Sequence, residues 1–227
     1  MASAGRAGAF ATRQSGLLDE AGWRKAADNG PAGRQLGAMA FDEARGHAIL
    51  FGGADATRRK LDDTWAWDGA RWSLLAEAGP GPRTSHGMSW HPGLRRAVLL
   101  GGNGATAKGD SWAWDGGGWT PFAPDGPPLF HFASGYDPDR EALIVFGGFG
   151  QSGRVGDTWL VTAAGWERQT IGQAPPLRAE HDGAAVPGIG FFIFGGIGGQ
   201  GMGEAERAAA LLNDAWAWRA GGWRRAD

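Results

Sequence analysis

The chain has no cysteine among its 227 residues, which excludes disulfides, thiol nucleophiles and cysteine-ligated metals and leaves the redox compartment open. It has one tyrosine, Tyr136, against thirteen tryptophans. Charge of one sign is also missing: 22 Lys and Arg against 24 Asp and Glu give a net charge of −2. With the signs interspersed, there is no electrostatic footprint for nucleic acid or an anionic membrane. No apolar run reaches the roughly 18 residues that a membrane helix requires. The opening Met1-Ala-Ser-Ala-Gly-Arg6 lacks the apolar stretch of a secretory signal, so the expected location is cytoplasmic. No Gly-x-Ser-x-Gly elbow and no P-loop is present, which removes two common catalytic frameworks.

What is abundant is glycine, 42 residues, and it recurs in register with apolar segments. Four apolar runs end in Gly-Gly, at Gly52-Gly53, Gly101-Gly102, Gly147-Gly148 and Gly195-Gly196. Each is followed by Asp-x-Trp, beginning at Asp63, Asp110, Asp157 and Asp214, and then by a lone tryptophan, Trp72, Trp119, Trp166 or Trp223. A period near 50 residues with several strands per unit signals a solenoid or a propeller. Within residues 34–78, Ala38–Phe41, Ala48–Phe51, Thr64–Asp68 and Trp72–Leu75 read as four short antiparallel strands, a to d, separated by glycine-rich turns. Strand b is apolar throughout, as a strand buried on both faces must be. Trp65 and Trp67 point to one face and can wedge between neighbouring sheets. The same four strands recur over about 84–122, 131–170 and 180–227. Residues 1–14 read as a tail. Gly16–Trp23 aligns with Trp65–Trp72, so a partial unit over 15–28, strands c and d only, precedes the first full one.

The Gly-Gly after strand b, the Asp-x-Trp opening strand c and the Trp of strand d together resemble the kelch repeat over nearly the whole chain. That resemblance implies an all-β fold, a kelch-type β-propeller of four full four-stranded blades plus a partial N-terminal blade. A propeller protects sheet edges by radial repetition. Three readings of its closure stay open: a five-bladed ring with one thin blade, an open arc completed by a second chain, or a piece of a longer propeller. Exposed edges on the partial blade lead to the expectation of a homodimer through it. Resemblance to galactose oxidase stops at the fold, because that copper site depends on a tyrosine crosslinked to cysteine.

Strand a would line the central channel, and polar residues fall at its mouth. Arg83-Thr-Ser-His86 and Arg178-Ala-Glu-His181 occupy one slot, Phe130-His131 is placed in it in a third unit, and Arg34-Gln-Leu-Gly37 in the first. On this alignment His86, His131 and His181 converge near one axis, with Arg34, Arg83, Arg178 and Glu180 beside them. These are the ligand-binding candidates. The motifs call for no cofactor, but three imidazoles could hold a divalent metal. The other reading of Arg-x-x-His is part of the blade itself, bonded to the loop from the previous one. The four aspartates are expected to accept backbone N–H bonds in the b–c loops. The long connection from Gly196 to Asp214 carries helix formers over 204–212 and would overhang the same face. The implied function is binding of a protein or small-molecule ligand at the channel mouth. The alternative is a lyase, isomerase or metal-assisted hydrolase that uses the His/Arg cluster.

Overall fold

The computed structural model describes residues 15–19, 22–27, 29–186, 190–200 and 210–226, and every regular element among them is a β-strand. The tail expected over 1–14 lies outside the described residues, as does most of the helix expected over 204–212. Only Ala210, Leu211 and Leu212 of that helix are described, and Leu211 is bridged to Ile197. Among the described residues no helix is long and apolar enough to cross a membrane.

A hairpin of β1 (Ser15–Asp19) and β2 (Gly22–Ala27) forms a two-stranded sheet. Four antiparallel sheets of four strands follow. Sheet I holds β3 (Ala38–Asp42), β4 (His47–Phe51), β5 (Thr64–Trp67) and β6 (Trp72–Ala76). Sheet II holds β7 (Gly87–His91), β8 (Arg96–Asn103), β9 (Ala107–Trp114) and β10 (Trp119–Pro121). Sheet III holds β11 (Ala133–Asp137), β12 (Ala142–Phe146), β15 (Thr158–Thr162) and β16 (Gly165–Arg168). A small hairpin of β13 (Phe149–Gly150) and β14 (Gly153–Arg154) sits in its loop. Sheet IV holds β17 (Asp182–Val186), β18 (Gly190–Phe194), β19 (Ala215–Arg219) and β20 (Gly222–Ala226). Each sheet is a plain meander, with neighbours in sequence paired in space.

The sheets stack in chain order, with β3 beside β7, β7 beside β11 and β11 beside β17. The second strands show why. In β12 every residue from Ala142 to Phe146 is buried, and alternate side chains serve different cores. Leu143 and Val145 pack towards sheet II, Ile144 and Phe146 towards sheet IV. Three apolar cores result, one between each consecutive pair. Ile49 and Phe51 meet Ala97, Leu99 and Trp114; Val98 and Leu100 meet Phe132, Leu143 and Val145; Ile144 and Phe146 meet Phe191, Trp216 and Trp223. The strand-d tryptophan of sheet II donates its indole N–H to Thr64 of sheet I at 2.9 Å, and Trp223 of sheet IV does the same to Thr158 of sheet III at 2.9 Å.

The Gly-Gly pairs seat one sheet against the next. All eight glycines have positive φ, from 54° to 102°, a backbone that L residues avoid. A Cβ at Gly52, Gly101 or Gly147 would lie 2.8, 2.7 or 2.6 Å from a backbone carbonyl of the next sheet's entry loop. The second glycine makes the join: Gly53 N–H donates to Arg83 O, Gly102 N–H to Leu129 O and Gly148 N–H to Arg178 O, at 2.8–2.9 Å.

Candidate functional site

The loop entering each first strand has one conformation in all four sheets. Isolated bridges place Gln35, Thr84, Phe130 and Ala179 in equivalent positions. The next residue, Leu36, Ser85, His131 or Glu180, has a left-handed backbone with φ of 59°, 56°, 56° or 60°. These residues are chained across the sheets: Ser85 N–H donates to Leu36 O, His131 N–H to Ser85 O and Glu180 N–H to His131 O, at 2.8–3.0 Å. They lie at the sheet ends that also carry the loops between second and third strands, to which isolated bridges join the preceding residues. Ser85 Oγ lies 3.1 Å from His131 Nε2. Phe130 stacks on Phe149 (centroids 5.4 Å, planes 21° apart), and the Arg154 guanidinium covers the other ring at 5.2 Å.

This register corrects the alignment of His131. It stands level with Ser85 and Glu180; the residue level with His86 and His181 is Phe132. The second glycines confirm it, since a Cβ at Gly102, Gly148 or Gly196 would strike the Cβ of His86, Phe132 or His181 within 2.6–2.9 Å. The three histidines therefore do not converge. Among the described residues no group of three His, Asp or Glu is placed to hold a metal ion.

His86 and His181 belong to the packing between sheets. Each ring stands edge-on to the last apolar residue of the preceding sheet's second strand, His86 on Phe51 at 5.5 Å and His181 on Phe146 at 5.7 Å. Burial, and then the neighbouring Arg83 or Arg178 charge, push each imidazole down to about 3. The Phe51 and Phe146 carbonyls oppose this slightly without reaching hydrogen-bond geometry. Both histidines are therefore neutral near pH 7.

The arginines are spent internally as well. Arg34 Nη1 and Nη2 hold the Asp63 carboxylate at 2.6 and 2.8 Å, Arg83 holds Asp110 at 2.6 and 2.9 Å, and Arg178 holds Asp214 at 2.7 and 2.8 Å. Each guanidinium also donates to the first glycine's carbonyl, Gly52, Gly101 or Gly195, at 2.9–3.0 Å. Arg83 reaches back to Pro80 O and Gly81 O in the loop from sheet I. Each carboxylate further accepts the indole N–H of Trp65, Trp112 or Trp216. The aspartates thus take guanidinium and indole donors where backbone N–H groups were expected. The Arg178 hydrogen bonds outweigh burial and bring Asp214 to about 2. For Asp63 and Asp110 burial acts upward, but the Arg and Trp donors prevail and the carboxyls are lowered.

Sheet III breaks this pattern. Leu129 stands at the arginine position, and Asp157 turns to the exposed Arg168 on β16. The indole N–H groups of Trp159 and Trp166 are buried without a partner.

Of the seven candidates, His131 and Glu180 remain on the open face; His86, His181, Arg34, Arg83 and Arg178 hold sheets together. Ser85 is the site residue that sequence reasoning passed over. No protein-family model matches the chain, and no curated protein matches it in sequence.

Proposed function

We propose that the chain is a kelch-type β-propeller and acts as a binding module, its ligand held at the channel mouth by Ser85, His131 and Glu180 with Phe130, Phe149 and Arg154 around them. One observation carries this reading. The Gly-Gly pair and the Asp-x-Trp recur in all four sheets and the clamping arginine in three, whereas the left-handed mouth position holds Leu36, Ser85, His131 and Glu180, four different side chains on one backbone. A position that is structurally repeated but chemically varied is where a rigid scaffold displays a site. The ligand class that suits it carries hydroxyl or carboxylate groups for Ser85 and His131, with an apolar flank for the phenylalanines. The test is a thermal-shift screen of hydroxy acids, sugars and short peptides against the wild type and a Ser85→Ala/His131→Ala/Glu180→Ala variant. A ligand at 100 times its Kd should add about 2.7 kcal/mol to wild-type stability and nothing to the variant's. Ligands that stabilise both proteins equally would sink the reading.

The Ser85–His131 contact at 3.1 Å favours a second reading, in which His131 takes the Ser85 proton as the hydroxyl attacks an ester carbonyl carbon, the phenolate or alcohol leaves, and water then cleaves the acyl-Ser85 bond to release the acid. Hydrolysis of p-nitrophenyl acetate should then fall to the rate of free imidazole in Ser85→Ala. Equal rates in wild type and variant would remove this reading. The arginines and the other two histidines have no part in it, because the sheet packing already uses them.

A further inference from the structure

The joins between sheets stop at sheet IV in a way that specifies what should follow. The last apolar residue of the second strand is fully buried in three sheets, with Phe51, Leu100 and Phe146 each 0 % exposed, but Phe194 of sheet IV is 54 % exposed. Leu211, bridged to Ile197 three residues further on, is 68 % exposed. Where Gly53, Gly102 and Gly148 donate to the next sheet's entry loop, Gly196 N–H has no such acceptor among the described residues. At the other end, Arg34 O accepts from no glycine and Leu36 N–H donates to no preceding loop among them.

The β1–β2 sheet supplies part of an answer. Ala27 stands as far before Arg34 as Ala76 stands before Arg83, and both intervals contain Gly-Pro. A Cβ at Gly30 would fall 2.6 Å from the Trp72 ring, as one at Gly79 would fall 3.2 Å from Trp119. The chain therefore runs from β2 into sheet I as it runs from β6 into sheet II, which makes β1 and β2 the third and fourth strands of a sheet whose first two are not among the described strands. β1 pairs with β2 alone among the described strands, leaving its other edge open. Every apolar strand of this sequence that ends in Gly-Gly is already used in its own sheet.

We propose that this position receives a β-hairpin donated by a partner polypeptide, which docks by strand addition on β1 and covers Phe194. The repeat dictates its chemistry. It carries a ring residue, His or Phe, at the entry to its first strand to stand on Phe194. It offers a carbonyl one turn earlier for Gly196 N–H. Its second strand is apolar on both faces and ends in Gly-Gly, whose second N–H reaches Arg34 O. The inference rests on the propeller reading of the four sheets but not on the mouth as a ligand site.

The probe is a synthetic peptide copying residues 83–103, the entry loop and first two strands of sheet II. Fluorescence anisotropy should give saturable 1:1 binding to the whole chain, and Phe194→Asp should weaken it about 10- to 100-fold, the loss of one buried aromatic contact. Phe194 is exposed, so that variant should keep the wild-type Tm, and His131→Ala should bind the peptide as the wild type does. Three results would overturn the proposal: no binding, equal binding by Phe194→Asp, or a concentration-dependent dimer of the chain that protects Phe194 and excludes the peptide.

Discussion

Asp110→Ala is expected to cost about 3–5 kcal/mol of stability, and Asp157→Ala no more than about 1 kcal/mol. The same residue type at the same place in the repeat gives opposite magnitudes because the partners differ. Arg83 is wholly buried, its side chain 0 % exposed. Without Asp110 it keeps only carbonyl acceptors at Gly101, Pro80 and Gly81, with nothing to balance its charge. The Arg168 side chain that serves Asp157 is 66 % exposed and returns to water when its partner is lost. At roughly 2–4 °C per kcal/mol for a chain of this size, thermal melts should separate the two variants by several degrees or more. A second pair of variants isolates the cause. Arg83→Met combined with Asp110→Asn removes both charges while keeping an acceptor for Trp112, and it should recover much of the loss. If Asp110→Ala and Asp157→Ala melt together, the buried clamp is not what holds the entry loop to its sheet.

The pairing of Arg34, Arg83 and Arg178 with Asp63, Asp110 and Asp214 is not legible as a joint presence in the sequence, since the third unit keeps Asp157 although Leu129 replaces the arginine. Treating every Asp-x-Trp as a loop cap hid it, because a cap needs no distant partner. The strands themselves were readable, since Gly-Gly, Asp-x-Trp and the lone Trp mark strand ends by backbone conformation and aromatic size, both local properties. The register at His131 was not recovered, because two histidines of the right spacing invited a third. The corrective signal was further down the chain. Phe41-Asp-Glu-Ala-Arg45 and Tyr136-Asp-Pro-Asp-Arg140 form the same turn, in which Asp42 holds Arg45 and Asp137 holds Arg140. Counting back from those aspartates puts Phe132 level with Gly37 and His131 level with Leu36. Ser85 carries no local signal for a different reason: a serine between threonine and histidine is ordinary until the fold brings His131 Nε2 within 3.1 Å of it.

Stability is expected to decline as pH falls below about 6.5, before the carboxylates titrate, and His86 and His181 are the cause. Both are neutral in the folded protein down to about pH 3, while in the unfolded chain they protonate near 6.5. Between those values the unfolded state binds one more proton per histidine, so folding loses about 1.4 kcal/mol per pH unit for each, or about 3 for the two together. The contribution is fully present above pH 6.5 and shrinks as pH falls. His91, also lowered chiefly by burial, adds in the same direction. The Asp214 clamp behaves differently: its carboxyl sits near 2 when folded against 3.8 otherwise, so its contribution persists to about pH 4 and disappears below that. The third sheet supplies the control, because Phe132 fills the equivalent slot with no ionisable group. His86→Phe/His181→Phe should therefore fold and bury its rings against Phe51 and Phe146 without the four unsatisfied ring nitrogens of the wild type. It should show a much flatter profile from pH 6.5 to about 4.5. Over that span the wild type is expected to lose about 5 kcal/mol, comparable with the whole stability of many domains. Urea titrations at each pH measure this directly. Parallel profiles for the two proteins would mean that the imidazoles are charged inside the fold, and their assignment to neutral packing would fail.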